Sequence, residues 1–116
     1  MTDTNSTDHL FEGKSPELKA AFDLLIHQLS AFGQVKVSPK QTSIHLEKNS
    51  GFAGIHPRKN YFNLEFRTDY KIDDPRITRV QQLSARRFEH TIKIENQSNV
   101  DAQLMGWLKD AYALSV

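Results

Sequence analysis

The chain has 116 residues, of which 38% are hydrophobic and 25% charged, a composition typical of one soluble globular domain. It contains no cysteine, which excludes disulfide bonds, thiol catalysis and thiolate metal sites, and its longest uncharged stretch, Leu24 to Val35, is too short to span a membrane. The formal net charge of +1 does not by itself indicate a nucleic-acid or membrane partner. Two aspartates precede the first basic residue, Lys14, so we expect no targeting peptide and a cytoplasmic location.

The first ten residues are mostly threonine, aspartate, asparagine and serine, which cannot form a core, so we predict a disordered tail over 1–10. Residues 11–116 are predicted to form a single α+β domain. Its first helix begins at Ser15, an N-cap residue followed by proline at the first helical position. Apolar residues at helical spacing continue to Phe32, and Gly33 ends the helix.

After residue 33 the apolar residues recur at every second position, which is typical of strands. The alternation predicts two short strands joined at 38–40, a third strand over 52–56 and a fourth over 62–66. A further half-buried strand is predicted over 88–94 because Phe88, Ile92 and Ile94 alternate with polar residues.

Between these last two strands, the sequence predicts a short helix. Asp74-Pro75 repeats the pattern of an N-cap followed by proline, and Ile77, Val80 and Leu83 have helical spacing.

The residue pattern near the end of the sequence predicts a C-terminal helix. Ser98 and Asp101 resemble a capping box, and apolar residues at helical spacing extend from Val100 to Tyr112. Strands that lie between two helices and have hairpin-length links indicate one antiparallel sheet. We therefore predict a two-layer α+β fold with about four or five antiparallel strands and the N- and C-terminal helices packed on one face.

Basic residues are concentrated in the middle of the chain. Residues 1–33 contain five acidic and two basic residues, whereas 56–90 contain eight basic and five acidic ones. Arginine suits bidentate contact with phosphate or carboxylate, and a nearby aromatic ring can stack on a base. We therefore predict that this segment forms a surface that binds an anionic ligand, with nucleic acid as the first candidate. Its candidate residues are His56, Arg58, Lys59, Tyr61, Arg76, Arg79, Arg86, Arg87 and His90. The competing interpretation is that these side chains are solvated and paired with acidic residues of the same segment, as surface charges usually are.

His90 has the same strand phase as Ile92 and Ile94, so we expect it to face the helices, shielded and hydrogen-bonded. It is then either a site residue or a structural core histidine. His27 and His45 are predicted to lie on the surface.

The sequence predicts no cofactor, metal site or catalytic residue. The five histidines are scattered without metal-ligand spacing, and no glycine-rich phosphate loop or nucleophile elbow occurs. Glu47 followed by Asp69-Tyr70-Lys71 imitates the acidic pattern of a metal-dependent nuclease, but such triplets are frequent by chance. An enzyme is therefore the less favoured class.

An ordered set of short motifs resembles a bacterial and archaeal family, domain of unknown function 5655. The motifs are Phe11-Glu12-Gly13-Lys14-Ser15-Pro16-Glu17, Phe52 to His56-Pro57-Arg58-Lys59, Asp74-Pro75-Arg76, Phe88-Glu89-His90 and Val100-Asp101 to Ala111-Tyr112. The resemblance implies no established activity, cofactor or catalytic residue, and places His56, Arg58, Arg76 and His90 at motif positions. A more distant likeness, to small α+β proteins of the MmcQ and YjbR type that are sometimes suspected of binding DNA, is a fold analogy.

We therefore expect a small cytoplasmic binding module with a basic face that contains histidine and arginine. The alternative is a protein-interaction or self-association domain without a ligand site, and a metal-dependent nuclease is the third hypothesis. The sequence does not indicate an oligomeric state.

Overall fold

A computed structural model describes residues 7–115 of the chain. Two helices occur in this range, α1 (Pro16–Leu29) and α2 (Ala102–Leu114). The strands are β1 (Lys36–Pro39), β2 (Ile44–Glu47), β3 (Gly51–Pro57), β4 (Phe62–Thr68), β5 (Ile77–Ser84) and β6 (Arg87–Ile94). They pair antiparallel in the order β1-β2-β3-β4-β6-β5. The α+β class and the antiparallel sheet are confirmed, but within residues 7–115 the sheet has six strands instead of four or five.

The additional strand is β5, where the sequence predicted a short helix. A register shift leaves Thr78 outside the ladder, so that Ile77 lies opposite Ile92 and Val80 lies opposite His90. Residues paired across an antiparallel ladder share a face, and both apolar residues therefore face inward. Their spacing of three comes from this bulge, and the helix prediction is wrong.

The connection from β4 to β5 passes over β6. Both β4 and β5 pair with β6, so residues 69–76 must cross it to reach the sheet edge. Asp74 begins a turn there instead of a helix, because its carboxylate accepts a 2.9 Å hydrogen bond from the Arg76 amide. Ile72 is buried in the crossover, and its amide donates to the His90 ring. The crossover is thereby tied to the inner face of β6.

The core lies between the two helices and the inner face of the sheet. Helix α2 packs on β3 and β4. The helices contribute Leu18, Ala21, Phe22, Leu25, Leu29, Leu104, Met105, Leu108 and Ala111, and the strands contribute Ile44, Leu46, Ile55, Phe62, Leu64, Phe66, Ile92 and Ile94. These strand residues share one face by their register, so both helices lie on that face. The other face, here called the outer face, carries the alternating polar residues.

The two helix starts differ in how they are capped. Ser15 is the N-cap of α1, but its hydroxyl contacts the Glu17 side chain instead of a helix amide. Asp101 is the N-cap of α2 and accepts from the Leu104 amide at 3.0 Å. Ser98, which the sequence predicted as the cap, belongs to a preceding 3-10 turn (Gln97–Asn99). The predicted capping box is therefore corrected to a single aspartate cap.

Gly33 follows α1 and a short 3-10 turn (Ser30–Phe32), and it meets two requirements that other residues would not. Its φ of 141° lies in the region that favours glycine. A Cβ there would also lie 2.6 Å from the hydroxyl oxygen of Tyr112. That hydroxyl donates to the Gln34 carbonyl at 3.0 Å, so the end of the first helical segment is joined to α2.

Packing begins within the predicted tail. Residues 1–6 of that tail lie outside the described residues, but Asp8–Leu10 form a 3-10 turn. Leu10 and Phe11 are buried, and the Phe11 ring lies 5.2 Å from that of Phe22. The predicted boundary at residue 10 is therefore too far along the chain, because Leu10 is apolar and contributes to the core.

Neither helix among residues 7–115 is long and apolar enough to cross a lipid bilayer.

Candidate functional site

One row of residues crosses the outer face of the whole sheet. The strand register aligns Ser38, His45, Gly54, Glu65, Thr91 and Arg79 on β1, β2, β3, β4, β6 and β5. Neighbouring strands lie about 4.8 Å apart, so the row extends about 24 Å. It brings together polar residues from most of the chain.

At the centre of this face, His56 pairs with Glu65. The imidazole Nε2 contacts the carboxylate Oε1, and the two side chains are 34% and 28% exposed. His56 lies opposite Asn63 in the ladder, one outward position from Glu65, so the pair is diagonal across β3 and β4. Oε2 of Glu65 has no hydrogen-bond partner among the described residues. This oxygen is therefore available to a ligand.

A small cavity, here called the Gly54 notch, lies on one side of this pair. It has a volume of about 180 Å³. The side chains around it include His45, His56, Glu65, Arg67 and Glu89. Gly54 forms part of its floor, because a residue without a side chain leaves space between His45 on β2 and Glu65 on β4.

A larger cavity, here called the Arg79 cleft, lies on the other side of the pair. It has a volume of about 330 Å³. Its lining is formed by His56, Arg58, Asn63, Thr78, Arg79, Thr91 and one acidic residue, Glu65, which is paired with His56. Guanidinium, amide and hydroxyl groups can all donate hydrogen bonds to an oxyanion. The cleft therefore has the chemistry of an anion site.

The two arginines of this cleft are not neutralised by acidic residues. Arg58 donates only to the carbonyl of Pro57, at 3.3 Å, and Arg79 makes no side-chain hydrogen bond or ion pair within residues 7–115. Arg67, which lines the notch, is instead paired with Glu89 at 3.3 Å. Both arginines of the cleft are thus free for a ligand, as are Arg86 and Arg87, where the only side-chain bond in the described residues runs from Arg87 to the Arg86 carbonyl.

Lys59 and Tyr61 lie beside Arg58 in the turn between β3 and β4. The Arg58 amide donates to the Tyr61 carbonyl at 2.7 Å, and the Ser15 amide donates to the Lys59 carbonyl at 3.0 Å. The ammonium of Lys93 lies 4.5 Å from the centre of the Tyr61 ring. This ring is therefore already covered by a cation on one face.

Arg86 and Arg87 are distant from that turn. They lie where β6 begins, whereas the other end of β6, Ile94, is paired with Phe62. At 3.3 Å per residue, the length of β6 separates the two ends by about 23 Å. Arg58 and Lys59 thus lie at the opposite end of the strands from Arg86 and Arg87, and the predicted basic residues do not form one contiguous patch.

Arg76 is committed to holding the start of α2. Its guanidinium bonds both carboxylate oxygens of Asp101, at 2.9 and 3.0 Å, and the Asn99 carbonyl at 2.7 Å. It also lies 5.9 Å from the Trp107 ring centre. Burial alone would raise the pKa of Asp101, but the Leu104 amide and the Arg76 guanidinium outweigh it and lower that pKa. These contacts assign Arg76 a structural role.

His90 lies on the inner face, as the sequence predicted, and is 0% exposed. Its Nε2 accepts the Ile72 amide at 3.0 Å, and its ring stacks on Phe66 at 5.4 Å. Burial lowers its pKa, and the Phe66 carbonyl acts in the opposite direction. The shielding is therefore confirmed, but the hydrogen bond comes from a backbone amide instead of joining the ring to a carboxylate, a carbonyl or a water, and the buried Nδ1 has no partner among the described residues. This histidine does not line either cavity of the outer face.

Comparison with family models gives a match to the domain of unknown function DUF5655 over residues 7–115. The chain belongs to this family. No curated protein and no solved structure matches the chain. The analogy to the MmcQ and YjbR type therefore stays a prediction.

In this DUF5655 chain, sequence reasoning missed the residues that complete the notch. His45 was predicted only to lie on the surface, Glu65 was one of the acidic residues expected to pair with the basic side chains of its segment, and Arg67 was not singled out. Their polar strand phase was a signal that they face outward. Their alignment depends on the register between strands, which alternation within one strand does not reveal.

The described residues of this DUF5655 domain contain no metal-binding cluster that would support the nuclease hypothesis. Among residues 7–115, no group of three or more histidine, aspartate or glutamate side chains could hold a metal ion. Tyr70 of the acidic triplet instead donates to Asp110 at 2.6 Å. Burial and this carboxylate raise the pKa of Tyr70 to about 12.

Proposed function

We propose that the domain binds the phosphate backbone of a single-stranded nucleic acid on the outer face of its sheet. The observation that carries this proposal is the Arg79 cleft, where Arg58 and Arg79 have no acidic partner. Guanidinium groups bond phosphate oxygens bidentately, and the hydroxyl of Thr91 supplies a further donor, whereas that of Thr78 already donates to the Thr91 carbonyl at 3.0 Å.

An extended ligand fits this face better than a single phosphate ion does. The notch and the cleft share His56 and Glu65 in their linings, so the two cavities adjoin. The aligned row that passes through both is about 24 Å long by strand spacing. A chain with several phosphates can use both cavities at once.

The proposed binding depends on phosphates and not on bases. The aligned row contains no phenylalanine, tyrosine or tryptophan, and Lys93 already covers one face of the nearby Tyr61 ring. Base stacking therefore contributes little, and phosphate contacts carry no sequence information. We expect weak, sequence-tolerant and strongly salt-dependent binding.

Fluorescence anisotropy with labelled single-stranded oligonucleotides of mixed sequence tests this proposal. Each phosphate contact on a single strand contributes about 0.7 to the slope of log affinity against log salt, so two arginines predict a slope of about 1.4. Absence of salt-dependent binding at low ionic strength overturns the proposal. A strong dependence on base sequence, with no dependence on salt, also contradicts it.

Self-association is the second candidate function, and one observation favours it. β5 is an edge strand in the described sheet, and its Leu83 is 44% exposed. Unpaired edge strands can pair with a second chain. Sedimentation velocity over a range of protein concentrations tests this alternative, since a dimer formed through β5 sediments faster as concentration rises. Our proposal retains a cytoplasmic location for the domain.

A further inference from the structure

We infer that the Gly54 notch is a catalytic site for metal-independent cleavage of RNA, with Glu65 as the base and His45 as the acid. The inference rests on the proposed function, because the Arg79 cleft must first hold the strand beside the notch. It adds a reaction and a substrate class to that binding site.

The arrangement of three adjacent strands provides the geometry. His45 lies opposite Gly54, and Gly54 lies opposite Glu65, so one glycine separates the acid from the base. Two strand spacings place the Cα atoms of His45 and Glu65 about 10 Å apart, and their side chains line the same cavity. A phosphate over Gly54 would therefore lie between them.

Both groups are free to exchange protons. His45 has no hydrogen-bond or ion-pair partner among residues 7–115, and it is exposed. Glu65 uses Oε1 for His56, which leaves Oε2 directed to no other described group. His56 is then a positioning residue that holds the carboxylate, and does not itself exchange a proton with the substrate.

The notch also contains a cation for the developing negative charge. Arg67 lines it from β4, two residues beyond Glu65 and thus on the same face. The ion pair of its Nε with Glu89, which also lines the notch, fixes the guanidinium there, and its two terminal nitrogens would stabilise the charge that accumulates on the phosphate oxygens during the reaction.

The reaction proceeds by transfer of the phosphoryl group within the RNA. Oε2 of Glu65 accepts the proton of the ribose 2′-hydroxyl, the 2′-oxygen forms a bond to phosphorus, and the bond from phosphorus to the 5′-oxygen breaks. Protonated His45 gives its proton to the departing 5′-oxygen. The products are a 2′,3′-cyclic phosphate and a 5′-hydroxyl, with no oxidation or reduction. Water then hydrolyses the cyclic phosphate: His45 accepts the proton of the attacking water, and Glu65 gives its proton to the departing 2′-oxygen. Both side chains thereby regain their initial protonation states.

A DNA oligonucleotide with a single internal ribonucleotide provides a sharp test. We expect cleavage in EDTA at the ribonucleotide alone, with the cyclic phosphate identified by mass spectrometry, and no cleavage of the all-DNA strand. His45→Ala and Glu65→Gln should each lower the rate about 10²- to 10⁴-fold, the usual contribution of general acid or base catalysis. His27→Ala, which removes an exposed histidine on α1, is the matched control and should retain the full rate.

A further variant, Gly54→Val, keeps every polar group but fills the notch. A Cβ at this position would lie 3.6 Å from Nε2 of His56, an ordinary contact, so the protein should fold, and the Arg79 cleft should still hold the oligonucleotide with reduced affinity. Cleavage should be lost. All variants are purified in parallel, because a contaminating nuclease would cleave at the same rate in every preparation. Equal cleavage by wild type, H45A and E65Q overturns the inference.

Binding measured on the same oligonucleotides separates the two proposals. Salt-dependent binding without cleavage by the wild type overturns the catalytic inference and leaves the binding proposal intact. If neither binding nor cleavage occurs, both proposals fail.

Discussion

The backbone amide of Ile72 donates a 3.0 Å hydrogen bond to Nε2 of His90, and so attaches the crossover between β4 and β5 to the centre of β6. Nε2 can accept this bond only when it carries no proton. Protonation of His90 would therefore remove the bond and place a charge in the core. Burial lowers the pKa of His90 for the same reason, with the Phe66 carbonyl as a smaller opposing influence.

Acid should therefore destabilise the domain through His90. Its pKa is lower in the folded state than in the unfolded chain, where it is about 6.5, so the unfolded chain takes up the proton first as pH falls. The contribution of His90 to the free energy of unfolding is therefore fully present above the unfolded-state pKa, and it declines as the pH falls from there to the folded-state pKa. Urea unfolding at pH 7 and pH 5 measures this loss. His90→Gln keeps an acceptor for the amide but does not titrate, so its loss should be smaller, whereas His27→Gln should behave like wild type. An equal loss in the His90 variant contradicts the prediction.

The core predicts large costs for two leucine truncations. Leu25 on α1 and Leu104 on α2 are both fully buried. Leu25→Ala or Leu104→Ala should each lower the free energy of unfolding by about 2 to 5 kcal/mol, because each leaves a cavity. Leu83→Ala on the exposed edge strand is the matched control and should change it by less than about 0.5 kcal/mol. Chemical denaturation of the three variants checks this, and equal effects would show that the inner face is not the core.

The start of α2 should depend on Asp101 and Arg76 together. Asp101→Ala removes the cap of the Leu104 amide and should cost about 1 to 2 kcal/mol. Arg76→Ala removes the partner of this carboxylate, and Arg79→Ala removes an arginine without one. A double-mutant cycle on Asp101 and Arg76 should give a coupling of about 0.5 kcal/mol or more, while Asp101 and Arg79 should be additive.

The same pair has a predicted pH dependence at strongly acidic pH. The pKa of Asp101 is lowered in the folded state, because the Leu104 amide and Arg76 outweigh the opposing effect of burial. Its contribution is therefore present above the unfolded value of about 3.9 and is lost as pH falls through the folded-state pKa. Additivity of Asp101 and Arg76 at neutral pH would contradict the assigned contact.

The elements that were predicted from sequence have local signals. The Ser15-Pro16 start of α1 and the strict alternation in β4 depend on neighbouring residues only. The inward direction of His90 follows from the phase of its own strand in the same way. β5 was missed because the bulge at Thr78 gives a strand the apolar spacing of a helix.

The candidate site was less predictable because it depends on which strands are neighbours. Arg58 and Arg86 belong to one basic segment of the sequence, but the chain crosses β6 between them and the register places them at opposite ends. His45 and Glu65 are 20 positions apart, and only their common partner Gly54 brings them to one cavity. Neither fact is contained in composition or in the periodicity of a single strand.

Matched charge reversals should identify the basic group that contacts phosphate. Arg58→Glu with Arg79→Glu changes the two arginines of the Arg79 cleft, and Arg86→Glu with Arg87→Glu changes the distant group by the same net charge. The cleft variant should lose a salt-dependence slope of about 1.4, since each lost contact on a single strand removes about 0.7. The distant variant should retain most of the wild-type slope.

Thermal unfolding must accompany these measurements. Neither Arg58 nor Arg79 pairs with an acidic residue in the described part of the chain, so the cleft variant should have nearly the wild-type midpoint. If both variants lose the same slope, the attraction follows the overall charge of the molecule and not the cleft. If the cleft variant unfolds instead, its arginines support the fold, and loss of binding would then say nothing in favour of a phosphate site. A folded cleft variant with a reduced slope is the result expected if the Arg79 cleft binds phosphate.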